Sequence, residues 1–236
     1  RGESGENSNH WYDEVFKLLE ENNIGWNFWT HKKVDKITSP YSALVTPQYQ
    51  VIIDYLRGVA GQPDPNIAGM GLTSFANSLK IENCITRPGV IASLTDPDYG
   101  EISKPYATHS IPGTIPAAYY DIGARGLSYS DSDYWNDGDG GYNDGWVFRN
   151  DGVDVEGSDD DPNIPYTVGW TEAGEWLGYT IEDVLPGTYD VSFSISAPNA
   201  GGIFYAQLSG QNLGVMDVPS TGGWYNWEDI PCQRIE

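Results

Sequence analysis

The chain has 236 residues, 39% of them hydrophobic, and a formal net charge of -22. That length allows one large or two modest domains, and the acidic surface excludes nucleic acid and anionic membranes as partners because it repels phosphates. Aromatic residues reach 13%, with 9 Trp and 16 Tyr. Their flat rings suit a neutral, hydroxyl-rich ligand, because one side of a pyranose carries C–H groups. Solubility alone also explains an acidic surface, so the charge does not identify a ligand by itself.

A helix and then a strand are predicted near the start of the chain. Ser8 or Asn9 offers an N-cap, and apolar residues follow at helical spacing, at Trp11, Val15, Leu18 and Leu19. The short apolar run over residues 24–29 is typical of a strand. With the loop and helix that follow, this order indicates the end of a (β/α) barrel.

Further helices are predicted before residue 95. Thr46 followed by Pro47 combines a cap with a proline at the first helical position, and Gly58 ends the helix expected over residues 48–57. Residues 61–70 are expected to form a loop. Two shorter helices are predicted after it, over residues 72–81 and 90–94.

The second half of the chain carries strand patterns. Residues 96–110 are polar, contain Pro and Gly and lack periodicity, so we expect a linker there. Residues 189–196 alternate strictly between apolar and polar side chains, as a half-buried strand requires. A second strand is predicted over residues 176–181, with a turn at residues 185–188, and this pair is expected to form the centre of an antiparallel sandwich.

One glutamate lies between glycines, in Gly2-Glu3-Ser4-Gly5. By pattern alone, an exposed turn is the commoner setting for such a glutamate. With the following helix and Trp26-Asn27-Phe28-Trp29, however, residues 1 to about 95 resemble the last quarter of a family 5 glycoside hydrolase, the cellulase and mannanase family. The resemblance implies that Glu3 is the catalytic nucleophile and that Trp29 is the floor of the sugar site.

The chemistry implied by this resemblance is a retaining hydrolysis, in which a second acid about 5 Å from the nucleophile protonates the leaving oxygen. In the family that acid lies at the end of the fourth barrel strand, which we do not find in this sequence. The chain also begins at Arg1 instead of Met. We therefore expect a fragment that is inactive alone.

Five motifs follow one another in the second half of the chain: Ile111-Pro112-Gly113-Thr114-Ile115, Phe148-Arg149-Asn150-Asp151-Gly152-Val153-Asp154, Val168-Gly169-Trp170, Gly174-Glu175-Trp176-Leu177 and Pro219-Ser220-Thr221-Gly222-Gly223-Trp224. With these motifs, residues 111–228 resemble a family 6 carbohydrate-binding module, a β-jelly roll appended to glycosidases. The resemblance implies a sugar site in the loops at one end of the sandwich, clamped by the rings of Phe148 and Trp224. Core packing is the alternative for both rings, although Gly222-Gly223 favours a loop position for Trp224.

No cofactor and no metal ligand is predicted. Asp and Gly are frequent over residues 131–161, but their spacing does not match a calcium-binding EF-hand. In family 6 a structural calcium is held directly after the Pro-Gly-Thr-Ile segment, where this chain has Pro116, Ala117 and Ala118. Binding of a structural calcium thus stays an open alternative, although the ligands usual in family 6 are absent from this segment. Cys84 and Cys232 lie in different parts of the chain, so no disulfide is expected.

The sequence therefore predicts a multidomain chain. The C-terminal remnant of an α/β (TIM) barrel over residues 1–95 and a linker over residues 96–110 precede an all-β jelly-roll sandwich over residues 111–236, itself expected to be truncated. The predicted function is that of a fragment of a secreted, extracellular, monomeric β-glycanase, endo-β-glucanase-like, that binds a polysaccharide such as β-glucan or xylan. A non-catalytic carbohydrate-binding protein and a calcium-dependent adhesion sandwich without a sugar site are the alternatives.

Overall fold

The computed structural model describes residues 8–132, 148–158 and 160–235, with side chains as far as Cys232. These residues form two compact units. Unit 1 extends as far as Thr108 and resumes over Ile115–Thr180, whereas unit 2 comprises His109–Thr114 and the chain from Ile181 onward.

The helices of unit 1 begin where capping residues place them. The helix α1 spans Asn9–Glu21, and the Ser8 hydroxyl accepts a 3.2 Å hydrogen bond from the Trp11 amide. Thr46 caps the next helix, α2 (Pro47–Leu56), in the same way. Both helices confirm the sequence prediction. The other α-helices of the described residues are α3 (Pro65–Ser78) and α4 (Pro88–Thr95).

The third helix starts earlier than predicted, inside the segment expected to be a loop. The Asp64 side chain accepts a 2.8 Å hydrogen bond from the Asn66 amide, and Pro65 takes the first helical position. This repeats the cap-then-proline signal of α2. The two helices pack closely, because Tyr49 and Phe75 stack at 4.2 Å between ring centroids.

The described strands are short and form small sheets. In chain order they are β1 (Lys32–Val34), β2 (Tyr41–Ala43), β3 (Ile85–Thr86), β4 (Ser110–Ile111), β5 (Tyr129–Ser130), β6 (Val155–Gly157), β7 (Tyr166–Val168), β8 (Trp176–Leu177), β9 (Asp183–Val184), β10 (Tyr189–Ile195), β11 (Ile203–Leu208), β12 (Gln211–Asp217) and β13 (Glu228–Ile235). In unit 1, β1 pairs in parallel with β2, which pairs antiparallel with β3, and two antiparallel ladders join β5 to β8 and β6 to β7.

No TIM barrel is visible in the described residues, and the strand predicted over residues 24–29 is wrong. This run is not in a strand. Its rings pack against α1 instead, Trp26 at 4.0 Å from Phe16 and Phe28 at 5.2 Å from Tyr12, between ring centroids. Aromatic side chains that pack on a helix satisfy the same apolar pattern as a buried strand, so periodicity did not separate the two.

The segment predicted as a linker, residues 96–110, packs against the rest of unit 1 over most of its length. Tyr99 is buried, and its carbonyl accepts a 2.7 Å hydrogen bond from the Lys17 ammonium of α1. Lys104 and Ile122 exchange backbone hydrogen bonds of 2.9 and 2.7 Å. The polar composition of this segment therefore reflects hydrogen bonding to its neighbours.

Unit 2 is built from three ladders. The strand β10 pairs antiparallel with β13, β11 pairs antiparallel with β12, and β4 pairs in parallel with β9. The alternating strand over residues 189–195 is confirmed, and its Phe193 packs edge-on against Phe204 of β11 at 5.1 Å between ring centroids. The predicted pairing of residues 176–181 with this strand is wrong, because β8 pairs with β5 and β9 intervenes in the sequence.

Buried tyrosines make unit 1 sensitive to alkaline pH. Burial raises the pKa of Tyr12 from 10.0 to about 12. Its neutral form is thus favoured in the folded chain, and the associated stability is lost as the pH rises through 10 toward 12. We expect Tyr12→Phe to lose less stability than the wild type between pH 8 and about pH 11, in urea unfolding at both pH values. Equal losses in the two proteins would contradict this assignment.

Candidate functional site

The candidate site is the Trp224 loop, residues 219–227, which connects β12 to β13 in unit 2. Thr221 is buried and fixes this loop to Ala197: its hydroxyl accepts a 3.0 Å hydrogen bond from the Ala197 amide, and its own amide donates to the Ala197 carbonyl at 2.8 Å. The hydroxyls of Ser196 and Ser220 add bonds to the carbonyls of Gly223, at 3.1 Å, and Pro198, at 2.7 Å. The loop is therefore fixed to the segment formed by residues 196–198.

The Trp224 loop presents two exposed aromatic side chains. Trp224 is 69% exposed and Tyr225 is 53% exposed. Gly222 has φ of 87° and Tyr225 has φ of 67°, in the left-handed region that non-glycine residues rarely adopt. A strained residue at an exposed loop tip is typical of binding sites. Sequence reasoning identified Trp224 but not Tyr225, because no local signal predicts a positive φ for tyrosine.

The charge around this loop disfavours an acidic ligand. Among the side chains described in unit 2 there is no Lys or Arg. Acidic side chains occur throughout the unit, at Glu182, Asp183, Asp190, Asp217, Glu228 and Asp229. Indole and phenol rings in a unit whose described charged side chains are acidic suit a ligand that offers C–H groups and hydroxyls instead of carboxylates.

Removing the hydroxyl of Thr221 is expected to loosen the loop. In Thr221→Val the part-buried Ala197 amide loses its acceptor, so the free energy of unfolding should fall by about 1–3 kcal/mol. Urea unfolding measures this change. Thr188→Val, at an exposed turn, is the control and should change stability by less than about 0.5 kcal/mol. Equal effects of the two substitutions would show that the Thr221 bonds do not hold the loop.

Phe148 does not present an exposed ring: it is 9% exposed, in the core of unit 1. Its ring stacks on Tyr166 at 4.1 Å and lies 5.8 Å from that of Tyr119. The Phe148 ring therefore packs in the core of unit 1, which was the alternative to contact with a sugar. Arg149 and Asp151, which follow it in the sequence, are buried as well.

The Arg149 guanidinium is the centre of a buried polar network in unit 1. Its Nε donates to Asp151 at 2.9 Å, and its terminal nitrogens donate to the carbonyls of Tyr120 and of Asp121, the latter at 3.0 Å. The guanidinium lies 3.6 Å from the centroid of the Tyr120 ring, and the Tyr120 hydroxyl donates to Asp151. Burial raises the pKa of Tyr120 well above its usual value, which keeps this donor protonated. The network holds the start of the Phe148 motif in place.

Comparison with known proteins finds similarity in the C-terminal part of the chain. Residues 149–235 match the family model "Carbohydrate binding module (family 35)". A 60-residue stretch is also 37% identical to the clotting factor G alpha subunit of Tachypleus tridentatus, covering 24% of this chain and 9% of that protein. The chain thus spans a small part of that relative's length.

The module match indicates a carbohydrate-binding function, as the sequence predicted. The matching family is 35, whereas the motifs resembled family 6. The Trp224 loop lies inside the matched residues, and Phe148 lies one residue before them. The resemblance of residues 1–95 to a hydrolase stays a prediction.

The other predicted site residues fall outside the matched segment of the sequence. Trp29 is in unit 1 and is 76% exposed, with a cis peptide bond to Thr30. Glu3 lies outside the described residues. Across the described parts of the chain, no group of three or more His, Cys, Asp or Glu side chains is placed to hold a metal ion. None of the helices described is long and apolar enough to cross a membrane.

Proposed function

We propose that this chain binds a neutral polysaccharide through the Trp224 loop, as the carbohydrate-binding part of a secreted β-glycan hydrolase. The observation that carries the proposal is the exposed Trp224 indole on a loop fixed by Thr221. A loop that is fixed in advance loses little conformational entropy when a sugar stacks on its ring. Covering the exposed indole with the C–H face of a pyranose contributes about 1.5–3 kcal/mol.

A polar side chain lies in the same loop as the Trp224 ring. Asn226 is exposed, and its amide group lies next to Gly222 and Gly223, where a Cβ on Gly223 would come within 3.3 Å of it. An amide at this place both donates to and accepts from sugar hydroxyls. One stacking ring and one such amide are the combination that sugar sites use to fix orientation.

For the full protein, we propose retaining hydrolysis of a β-linked glycan such as β-glucan or xylan. Glu3 would attack the anomeric carbon, Trp29 would support the sugar ring, and a carboxylic acid outside this chain would protonate the leaving oxygen. The exposure of Trp29 supports its part in this scheme. The module would keep the catalytic part close to its substrate by raising the effective concentration.

We further propose a domain organisation in which a jelly-roll sandwich over residues 111–236 follows the end of a TIM barrel over residues 1–95. We also propose an extracellular, monomeric chain without a required cofactor. A non-catalytic carbohydrate-binding protein is the second candidate, which the match to a binding module favours.

Affinity electrophoresis tests the binding proposal. The chain is run in native gels that contain hydroxyethylcellulose, xylan or laminarin, beside a gel without polysaccharide. We expect retardation in at least one gel, with no release of reducing sugar by this chain alone. Unchanged mobility in every gel would contradict the binding proposal, and hydrolysis by this chain would contradict the need for an acid from elsewhere.

A further inference from the structure

A second feature suited to a sugar lies in unit 1, at the C-terminal end of α1. A surface depression of about 470 Å³ is lined by Glu20, Asn23, Ile24, Gly25 and Trp26. Its volume falls in the range of about 300–1,000 Å³ that small-molecule sites occupy. The depression is distinct from the Trp224 loop, which belongs to unit 2.

The Trp26 ring in this depression is fixed in orientation. Its indole nitrogen donates a 2.6 Å hydrogen bond to Glu20 Oε1. The ring packs on Phe16, with 4.0 Å between centroids and 34° between planes. The side chain is half-buried, so Phe16 supports part of the ring while part faces the depression. A supported ring of this kind is prepared to stack on a flat apolar ligand surface.

Two polar residues, Asn23 and Glu20, line the same depression as this ring. Asn23 takes a left-handed backbone conformation with φ of 53°, and its backbone N–H donates a 3.0 Å hydrogen bond to the Glu20 carbonyl. Among the described residues the Asn23 side chain has no hydrogen bond, so both its donor and its acceptor are available. Glu20 uses one carboxylate oxygen for Trp26, which leaves the other to accept a bond from a hydroxyl.

We propose that this depression is a second site for a pyranose of the same neutral glycan. Trp26 stacks on the C–H face of the sugar, Asn23 and Glu20 bind its hydroxyls, and the Glu20 carboxylate repels sugars that carry a carboxylate. The inference rests on the proposed function for the ligand class, whereas its residues lie in the other unit. Two sites on one chain raise the retention on a polymer above that of either site.

Indole resonances of the full chain provide the test. The ¹⁵N-labelled protein is titrated with cellohexaose, xylohexaose and laminarihexaose, and the indole N–H signals are assigned with Trp26→Phe and Trp224→Phe. We expect both signals to shift with one of these sugars. The Trp11 indole, near the start of α1 and assigned with Trp11→Phe, is the control and should not move.

A matched variant separates the two sites. Asn23→Gly keeps the left-handed backbone and removes the amide, so the Trp26 titration should weaken by about threefold or more while that of Trp224 stays unchanged. A shift of Trp224 alone, or a Trp26 titration unaffected by Asn23→Gly, overturns this site and leaves the proposed function standing. If neither indole shifts with any sugar, both proposals fail.

Discussion

Replacing Arg149 by methionine is expected to lower the free energy of unfolding of unit 1 by about 3–5 kcal/mol. The substitution removes three hydrogen bonds from the guanidinium, to Asp151 and to the carbonyls of Tyr120 and Asp121. The Asp151 carboxylate would then stay buried without its cation, and methionine offers no donor in exchange. Urea unfolding followed by tryptophan fluorescence measures the loss.

Arg57→Met is the matched control for this experiment. Arg57 lies at the exposed C-terminal end of α2, also in unit 1, so its replacement should change stability by less than about 0.5 kcal/mol. A loss below about 1 kcal/mol in Arg149→Met would contradict the network, because an unpaired buried carboxylate is far more costly than that.

Replacing Trp224 by alanine is expected to weaken glycan binding by about tenfold to a hundredfold. The exposed indole contributes little to packing, so the stability of the folded chain should not change by more than about 0.5 kcal/mol. The lost stacking corresponds to about 1.5–3 kcal/mol of binding free energy. Isothermal titration calorimetry with the glycan that retards the wild type gives the affinity of each variant.

Tyr205→Ala provides the matched control for the loop. Tyr205 is 67% exposed on β11, in the same unit, and lies opposite Val215 in the ladder with β12. It is an equally accessible ring outside the Trp224 loop, so its loss should change the affinity by less than about threefold. A larger loss in Tyr205→Ala than in Trp224→Ala would place the sugar on the sheet face instead of the loop.

Local signals were enough to predict the helices and the exposed tryptophan. Ser8 and Thr46 cap helices where the sequence placed them, and Gly222-Gly223 marked the loop that exposes Trp224. The early start of α3 was also within reach, because Asp64-Pro65 carries the signal that was used at Thr46-Pro47. Caps and glycines act over a few residues, so a sequence displays them directly.

Features that depend on distant residues were not predictable. Whether Phe148 faces a ligand or the core is decided by Tyr166 and Tyr119, which lie far from it in the sequence. Strand pairing also depends on long-range contacts, so Trp176–Leu177 pairs with β5 instead of with β10. Arg149 was visible in a motif, but nothing local indicated that Asp151 and two carbonyls would surround it.

The most direct test is a crystal structure of this chain with an oligosaccharide of the glycan that it binds best. Our account predicts a pyranose whose apolar face lies within about 4 Å of the Trp224 indole, with a hydroxyl bonded to Asn226. A sugar bound elsewhere in unit 2, with the Trp224 ring left in solvent, would contradict it.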